Sequence, residues 1–116
     1  MQRKYFGFAL ADSMFAGMGD CVINRRALSI QEAKALIAGD MESCLNPSHK
    51  ATIDAMQSRF GIHIEIPRTP PRVQLAKGDS LVVMGVRGLP RLTDRHEYTE
   101  KEIAEANFSF SLYTVT

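Results

Sequence analysis

The residues best suited to chemistry lie where the second predicted helix begins. Asn46 followed by Pro47 is typical of a helix start, because asparagine caps well and proline there lacks only an N–H that would have no partner. His49 and Thr52 fall in the first turns, with Ser48 beside them. Free N–H groups at a helix N-terminus favour an anion, and a histidine there can donate a proton to a leaving oxygen. The sequence therefore indicates a phosphate site with acid catalysis.

A structural role for His49 is the competing interpretation. His49, Ile53, Met56 and Phe60 recur at the spacing of one helical stripe, so the imidazole would then cover the end of an apolar face. The sequence holds no HxH or HExxH spacing and no carboxylate–histidine cluster. We therefore expect neither a protein-bound metal nor a cofactor.

Positive charge is concentrated in the second half of the chain. The net charge of the 116 residues is only +1, yet six cations outnumber two anions between Arg68 and Arg95. Nine of the 14 cations are arginine, whose planar fork suits a bidentate grip on phosphate. This segment is either part of an anion site or a solvated basic face.

Length and composition predict a single globular domain over residues 1–116. Hydrophobic residues make up 45% and charged residues 23%, and no apolar run approaches the roughly 20 residues of a membrane helix. The apolar stretch over 4–11 is better explained as a first strand than as a signal peptide. Cys21 and Cys44 have no metal or disulfide spacing, which is typical of reduced cytosolic thiols. We therefore expect a cytoplasmic protein without a membrane partner.

Local signals predict three helices and a sheet. Capping boxes open two helices, at Ser29 and at Thr99, and Asn46 opens the helix between them. Hydrophobic alternation predicts strands, and the turn at 77–79 is typical of a hairpin. The predicted strands span 4–11, 62–66, 72–75, 80–86 and 108–113, with 21–23 as an optional short strand. The predicted fold class is α+β (mixed α/β), with a single central mixed sheet flanked by helices.

Several motifs follow one another in an order that is more specific than any one of them. They are a strand ending at Leu10-Ala11-Asp12, a helix opening at Ser29-Ile30-Gln31-Glu32, a histidine motif at His49-Lys50-Ala51-Thr52, and a C-terminal half with Arg72-Val73, Gly78-Asp79-Ser80, Leu89-Pro90, Tyr98-Thr99-Glu100 and Phe108-Ser109-Phe110. From about Leu10 to Val115 the chain thereby resembles the viral type III anti-CRISPR ring nucleases. These are small proteins of archaeal viruses, phages and mobile elements that degrade cyclic tetra-adenylate.

The resemblance implies a fold, a reaction and a set of site residues. Members of that family are two-fold homodimers whose groove binds the cyclic oligoadenylate without metal or cofactor, and no DNA partner is expected. The ribose 2′-hydroxyl attacks its own phosphate, and a histidine protonates the departing 5′-oxygen, which gives linear di-adenylates with a 2′,3′-cyclic phosphate. By motif position that general acid is His49. The resemblance also implies ligand-binding roles for Thr52, Arg72 and either Arg87 or Arg91, and Ser48 is a further ligand-binding candidate from its position beside His49.

The chain departs from the family pattern at two places. Asp12 stands at a ligand-binding position where the family commonly has asparagine, and its charge would repel a phosphate. The family usually has glycine directly before the histidine, whereas Pro47 and Ser48 precede His49 here. A displaced histidine loses rate steeply, because about 1 Å of misplacement costs on the order of 100-fold. The alternatives are therefore a protein that binds a nucleotide signal without cleaving it, and a viral protein-interaction factor without a nucleotide.

Overall fold

The computed structural model describes residues 2–39, 41–69, 71–93 and 95–116. Its strands are β1 (Lys4–Gly7), β2 (Ile23–Leu28), β3 (Glu42–Ser43), β4 (Ser80–Arg87) and β5 (Asn107–Val115). Its helices are α1 (Ile30–Ile37), α2 (Lys50–Phe60) and α3 (Glu100–Glu105), and two 3-10 turns span Asp12–Phe15 and Pro47–His49. In this part of the chain, no helix combines the length and the apolarity needed to cross a membrane.

The strands form one mixed sheet in the order β2-β5-β4-β1-β3. β1 lies parallel to both of its neighbours, with Phe6 opposite Ser43 of β3 and opposite Val82 of β4. β5 is antiparallel to β4 on one side and to β2 on the other. The predicted α+β class, with helices flanking a single mixed sheet, is therefore confirmed.

The sheet has two unlike faces, because successive residues of a strand point to opposite sides. The Phe6 face, defined by Phe6 and Val82, carries the main core and is covered by α1 and α2. The Tyr5 face, defined by Tyr5 and Leu81, is covered by loop segments, including Leu75, rather than by a long helix. Helix α3 contacts α2. The α-helical layer thus packs on the Phe6 face of the sheet.

The predicted helix starts are confirmed. The Ser29 hydroxyl accepts the N–H of Glu32, whose carboxylate accepts the N–H of Ser29 in return. Thr99 and Glu102 make the same pair of bonds at the start of α3. Asn46 caps the 3-10 turn that leads into α2. Each cap is local, because it satisfies N–H groups that have no partner inside the helix.

The segment over 62–66 alternates as predicted, but the predicted strand is wrong. Ile62 and Ile64 are buried in the Phe6-face core, whereas His63 is exposed. Among the described residues, the backbone of this segment joins no strand ladder. The alternation arises because every second side chain is buried, and burial here needs no neighbouring strand.

The predicted hairpin over 72–86 is also wrong in its first half. β4 forms as predicted, but β1 and β5 occupy both of its edges, so residues 72–75 cannot pair with it. Leu75 instead donates its N–H to the carbonyl of Met14, in the loop after β1, with an N···O distance of 2.6 Å. The turn is present, with the N–H of Asp79 bonded to the carbonyl of Ala76.

Three strand boundaries differ from prediction for the same physical reason. β1 ends at Gly7 rather than at residue 11, where its pairing with β4 stops. β2 extends through Arg25 and Arg26, beyond the optional short strand predicted over 21–23, because these residues pair with β5. β3, where no strand was predicted, forms because it pairs with β1. Such boundaries depend on partners distant in sequence.

Candidate functional site

The ends of three parallel strands, β1, β3 and β4, share one edge of the sheet, here called the carboxyl edge. From β1 the chain runs through β2, at the far end of the sheet, and α1 to β3 on one side of β1, and then through α2 to β4 on the other side. This reversal is a topological switch point, where open α/β sheets bind their ligands. The candidate site is therefore built from the residues that follow these three strands.

His49 lies at this edge, in the 3-10 turn between β3 and α2. Its ring is half-buried and meets the ring of Phe8, the residue after β1, edge to face, with 4.5 Å between the ring centroids. The main-chain N–H of Asn46 donates to Nδ1 of His49 at 3.2 Å. Burial lowers the pKa of the imidazole below its ordinary value. The turn thus holds His49 in one orientation and favours its neutral form.

The N–H groups of this turn are bonded inside the protein. Asn46 accepts the N–H of Ser48 through its side-chain oxygen and the N–H of His49 through its carbonyl, both at 2.9 Å. The N–H of Lys50 donates to the carbonyl of Pro47. The expectation of free N–H groups is therefore wrong for these three residues, because the 3-10 turn and its cap satisfy them. An anion here would depend on side chains.

Two hydroxyl groups lie on the same turn as His49. Thr52 follows His49 by three positions in α2, and residues so spaced are neighbours on a helix surface, about 5–6 Å apart at Cβ. Its side chain is half-buried, whereas that of Ser48 is exposed. The hydroxyl of Ser48 also bonds to the side-chain oxygen of Asn46. Ser48, His49 and Thr52 therefore lie within five consecutive positions at the start of α2.

Arg72 is exposed in a segment that covers the other side of the sheet. The neighbouring side chain of Gln74 donates to the carbonyl of Ala16 at 2.6 Å, and Leu75 packs on the Tyr5 face. The segment is thereby fixed to the loop that follows β1. Arg72 thus adjoins Val73, which packs on the Tyr5 face, whereas α2, which follows His49, covers the Phe6 face.

The remaining candidates are exposed at or beyond the carboxyl edge. Arg87 ends β4, four positions beyond the residue that pairs with Gly7, which is about 13 Å along a strand. Arg91 lies in the following loop. Asp12 begins the first 3-10 turn and lines a cavity of about 410 Å³ with Phe15 and other loop residues. One chain does not gather these residues into a single pocket with His49.

A family model described as STIV B116-like matches residues 8–110. The chain belongs to the STIV B116-like family. Among solved structures, its fold is similar to that of B116 of Sulfolobus turreted icosahedral virus, with a TM-score of 0.67 at 17% identity. That match covers 97% of this chain and 98% of the viral one. No curated protein matches the chain in sequence. The family is therefore one of small archaeal viral proteins.

Within the STIV B116-like fold, two contacts at the sheet escaped prediction from sequence. Phe8 positions the ring of His49, but nothing in its neighbours distinguishes it from a core residue. Arg25 extends across the Tyr5 face, where its guanidinium donates to the hydroxyl of Ser111 at 2.8 Å and to that of Tyr113 at 3.3 Å. Correct placement of β2 would have revealed this contact, because Arg25 is paired directly with Tyr113.

Proposed function

We propose that this STIV B116-like protein is a metal-independent ring nuclease that degrades a cyclic oligoadenylate, with cyclic tetra-adenylate as the first candidate, and so counters type III CRISPR immunity. The observation that carries the proposal is the position of His49. It lies at the carboxyl edge, at the start of α2 and in contact with Phe8, where a ligand at the switch point would reach it. The resemblance of the motifs to the ring nucleases supplies the substrate class.

The proposed reaction assigns one role to each group. The 2′-oxygen of a ribose forms a bond to the adjacent phosphorus, its proton passes to water, and the bond from phosphorus to the 5′-oxygen breaks. His49 delivers a proton to that departing oxygen. The hydroxyl of Thr52 donates to a phosphate oxygen, since the main-chain N–H groups of the turn are already bonded, and the hydroxyl of Ser48 does so after it leaves the side-chain oxygen of Asn46. The products carry a 2′,3′-cyclic phosphate.

A homodimer is part of this proposal. Arg72 adjoins Val73, which packs on the Tyr5 face, and Arg87 falls on that face by alternation from Leu81, whereas His49 precedes α2 on the Phe6 side. A two-fold axis would bring a second set of the same side chains to a shared groove and would match a ring ligand of repeated units. Met14 and Met18 are half-buried apolar residues of the loop after β1 and are candidates for that interface. Sedimentation at micromolar concentration should give the mass of two chains.

Binding without cleavage is the second candidate function. The bond from Asn46 to Nδ1 of His49 favours it, because the ring is thereby held in its neutral form. A protein-interaction role is the third candidate, and it predicts no response to any cyclic nucleotide. A ligand at 100 times its dissociation constant should instead add about 2.7 kcal/mol to the free energy of unfolding.

The deciding experiment is incubation with cyclic tri-, tetra- and hexa-adenylate in EDTA, with products resolved by chromatography. His49→Ala should abolish cleavage while leaving binding, and His63→Ala is the matched control because His63 is an exposed histidine whose ring bonds to the side chain of Gln57. Intact rings with a thermal shift would establish the binding function instead. Intact rings without a shift would refute both nucleotide functions for these ligands.

A further inference from the structure

The hydrogen bond from the Asn46 amide to Nδ1 of His49 determines which ring nitrogen can carry a proton. The donor–acceptor distance is 3.2 Å, and a nitrogen that accepts a hydrogen bond is not protonated. We propose that Asn46 is a positioning residue that holds His49 of the free protein in its neutral Nε2–H tautomer. The tautomer follows from the geometry alone, and its consequence for catalysis rests on the proposed function.

The donor is itself fixed in place. Asn46 has an extended backbone, with φ of −129° and ψ of 168°. Its carbonyl accepts the N–H of His49, and its side-chain oxygen accepts the N–H of Ser48, both at 2.9 Å. The amide therefore cannot turn away from the ring without loss of the cap. The capping box that opens this turn and the tautomer of His49 are one structural feature.

The ring has little freedom to turn on its other side. Phe8 packs against it at an interplanar angle of 80°, with ring centroids 4.5 Å apart. Burial alone lowers the pKa of His49, and no charged side chain of the described residues contributes to that shift. Burial therefore favours the neutral imidazole over the imidazolium.

The tautomer has a consequence for the proposed reaction. A neutral ring with its proton on Nε2 can donate a hydrogen bond, but complete transfer of that proton would leave an imidazolate. His49 must first take a proton from solvent at Nδ1, which breaks the bond from Asn46. Nε2–H can then pass its proton to the departing 5′-oxygen and leave a neutral ring protonated at Nδ1. The charge of a bound phosphate favours this change, so ligand binding and activation of His49 are coupled.

Long-range ¹⁵N–¹H NMR of the histidine rings in the intact free protein tests the tautomer directly. His63→Gln and His96→Gln assign the three rings. Above the pKa of His49, we expect Nδ1 to resonate as an unprotonated nitrogen and Nε2 as a protonated one. A protonated Nδ1, or the averaged signals of a ring that exchanges freely between tautomers, would overturn the proposal whatever the nuclease assay gives.

Asn46→Ala tests the role of the cap, because it removes the side-chain anchor that orients the amide. The variant should shift His49 toward a mixture of tautomers and raise the pKa found by NMR titration. Ser58→Ala, at an exposed uncharged position of α2, the helix that follows the turn, should leave both unchanged. An unaltered tautomer and pKa in folded Asn46→Ala would refute the positioning role. Absence of ring cleavage with the tautomer intact would instead refute only the proposed function.

Discussion

The side-chain carboxylate of Asp79 accepts a hydrogen bond from the main-chain N–H of Arg3, 76 positions earlier in the chain, at 2.9 Å. Its other oxygen accepts the N–H of Ala76 at the same distance. Asp79 is 3% exposed, and a buried carboxylate is tolerated only with such partners. One side chain thus fixes the first residues of β1 beside the turn that precedes β4, where Lys4 and Ser80 pair.

Asp79→Ala should destabilise the protein, because it leaves two partly buried N–H groups, those of Arg3 and Ala76, without an acceptor. We expect the free energy of unfolding to fall by about 1.5–3 kcal/mol, the range for hydrogen bonds to a charged group. Asp79→Asn keeps one acceptor oxygen and should lose less. Urea unfolding followed by circular dichroism measures both, with Asp20→Ala as the exposed control. A loss in Asp79→Ala no larger than that of Asp20→Ala would contradict the role of the carboxylate.

Gly61 is the residue at which α2 must end. Its φ of +69° lies in the left-handed region, where a side chain costs about 1–2 kcal/mol. Gly61→Ala should lower the free energy of unfolding by that amount. Gly19 has no such φ and no atom within 4 Å of an added Cβ, so Gly19→Ala should be neutral or stabilising by about 0.4–1 kcal/mol. Equal effects of the two substitutions in thermal unfolding would contradict this assignment.

Glu102 makes stability depend on pH at the acidic end. Hydrogen bonds from Arg95, and then from the N–H of Thr99, lower the pKa of its carboxyl from 4.5 to about 2. Because the folded-state pKa is the lower one, the stabilisation is complete above the unfolded value and is lost as pH falls toward 2. Glu102→Gln should therefore reduce the loss of stability between about pH 5 and about pH 3. Unchanged pH dependence in this variant would exclude Glu102 as a source.

The features that local sequence could predict are those made by residues a few positions apart. Ser29 with Glu32 and Thr99 with Glu102 identify two helix starts, because each box closes within one turn. The site turn was predictable for the same reason, including the grouping of His49 with its neighbouring hydroxyls. The pairing of strands could not be predicted in this way, because both edges of β4 pair with strands far away in sequence.

The tautomer of His49 was equally beyond prediction. The spacing from Asn46 to His49 indicates a cap, but it does not predict that Nδ1 of His49 accepts the main-chain N–H of Asn46. That bond satisfies the N–H of Asn46, while the turn and its cap satisfy the N–H groups of Ser48, His49 and Lys50 that were expected to hold an anion. The residue types predict where the candidate site lies, whereas the direction of each hydrogen-bond donor follows only from the folded backbone.

Ile62 lies in the segment over 62–66, where the predicted strand is wrong. Its substitution tests whether an isoleucine there stabilises the protein through side-chain burial, without strand pairing. It is 1% exposed and packs in the Phe6-face core, although its backbone is unpaired among the described strands. Ile62→Ala should therefore cost about 2–5 kcal/mol, the range for a buried isoleucine. Ile53→Ala in α2, 2% exposed, should cost a similar amount.

The neighbouring His63 provides the matched control for Ile62. It is exposed on the same segment, so His63→Ala should change the free energy of unfolding by less than about 0.5 kcal/mol in urea. A small loss in Ile62→Ala would mean that the segment rests loosely on the core. A large loss in Ile62→Ala would establish that the alternation reflects contact with the α-helical layer. Side-chain burial would then be sufficient to hold this extended segment without pairing to a strand.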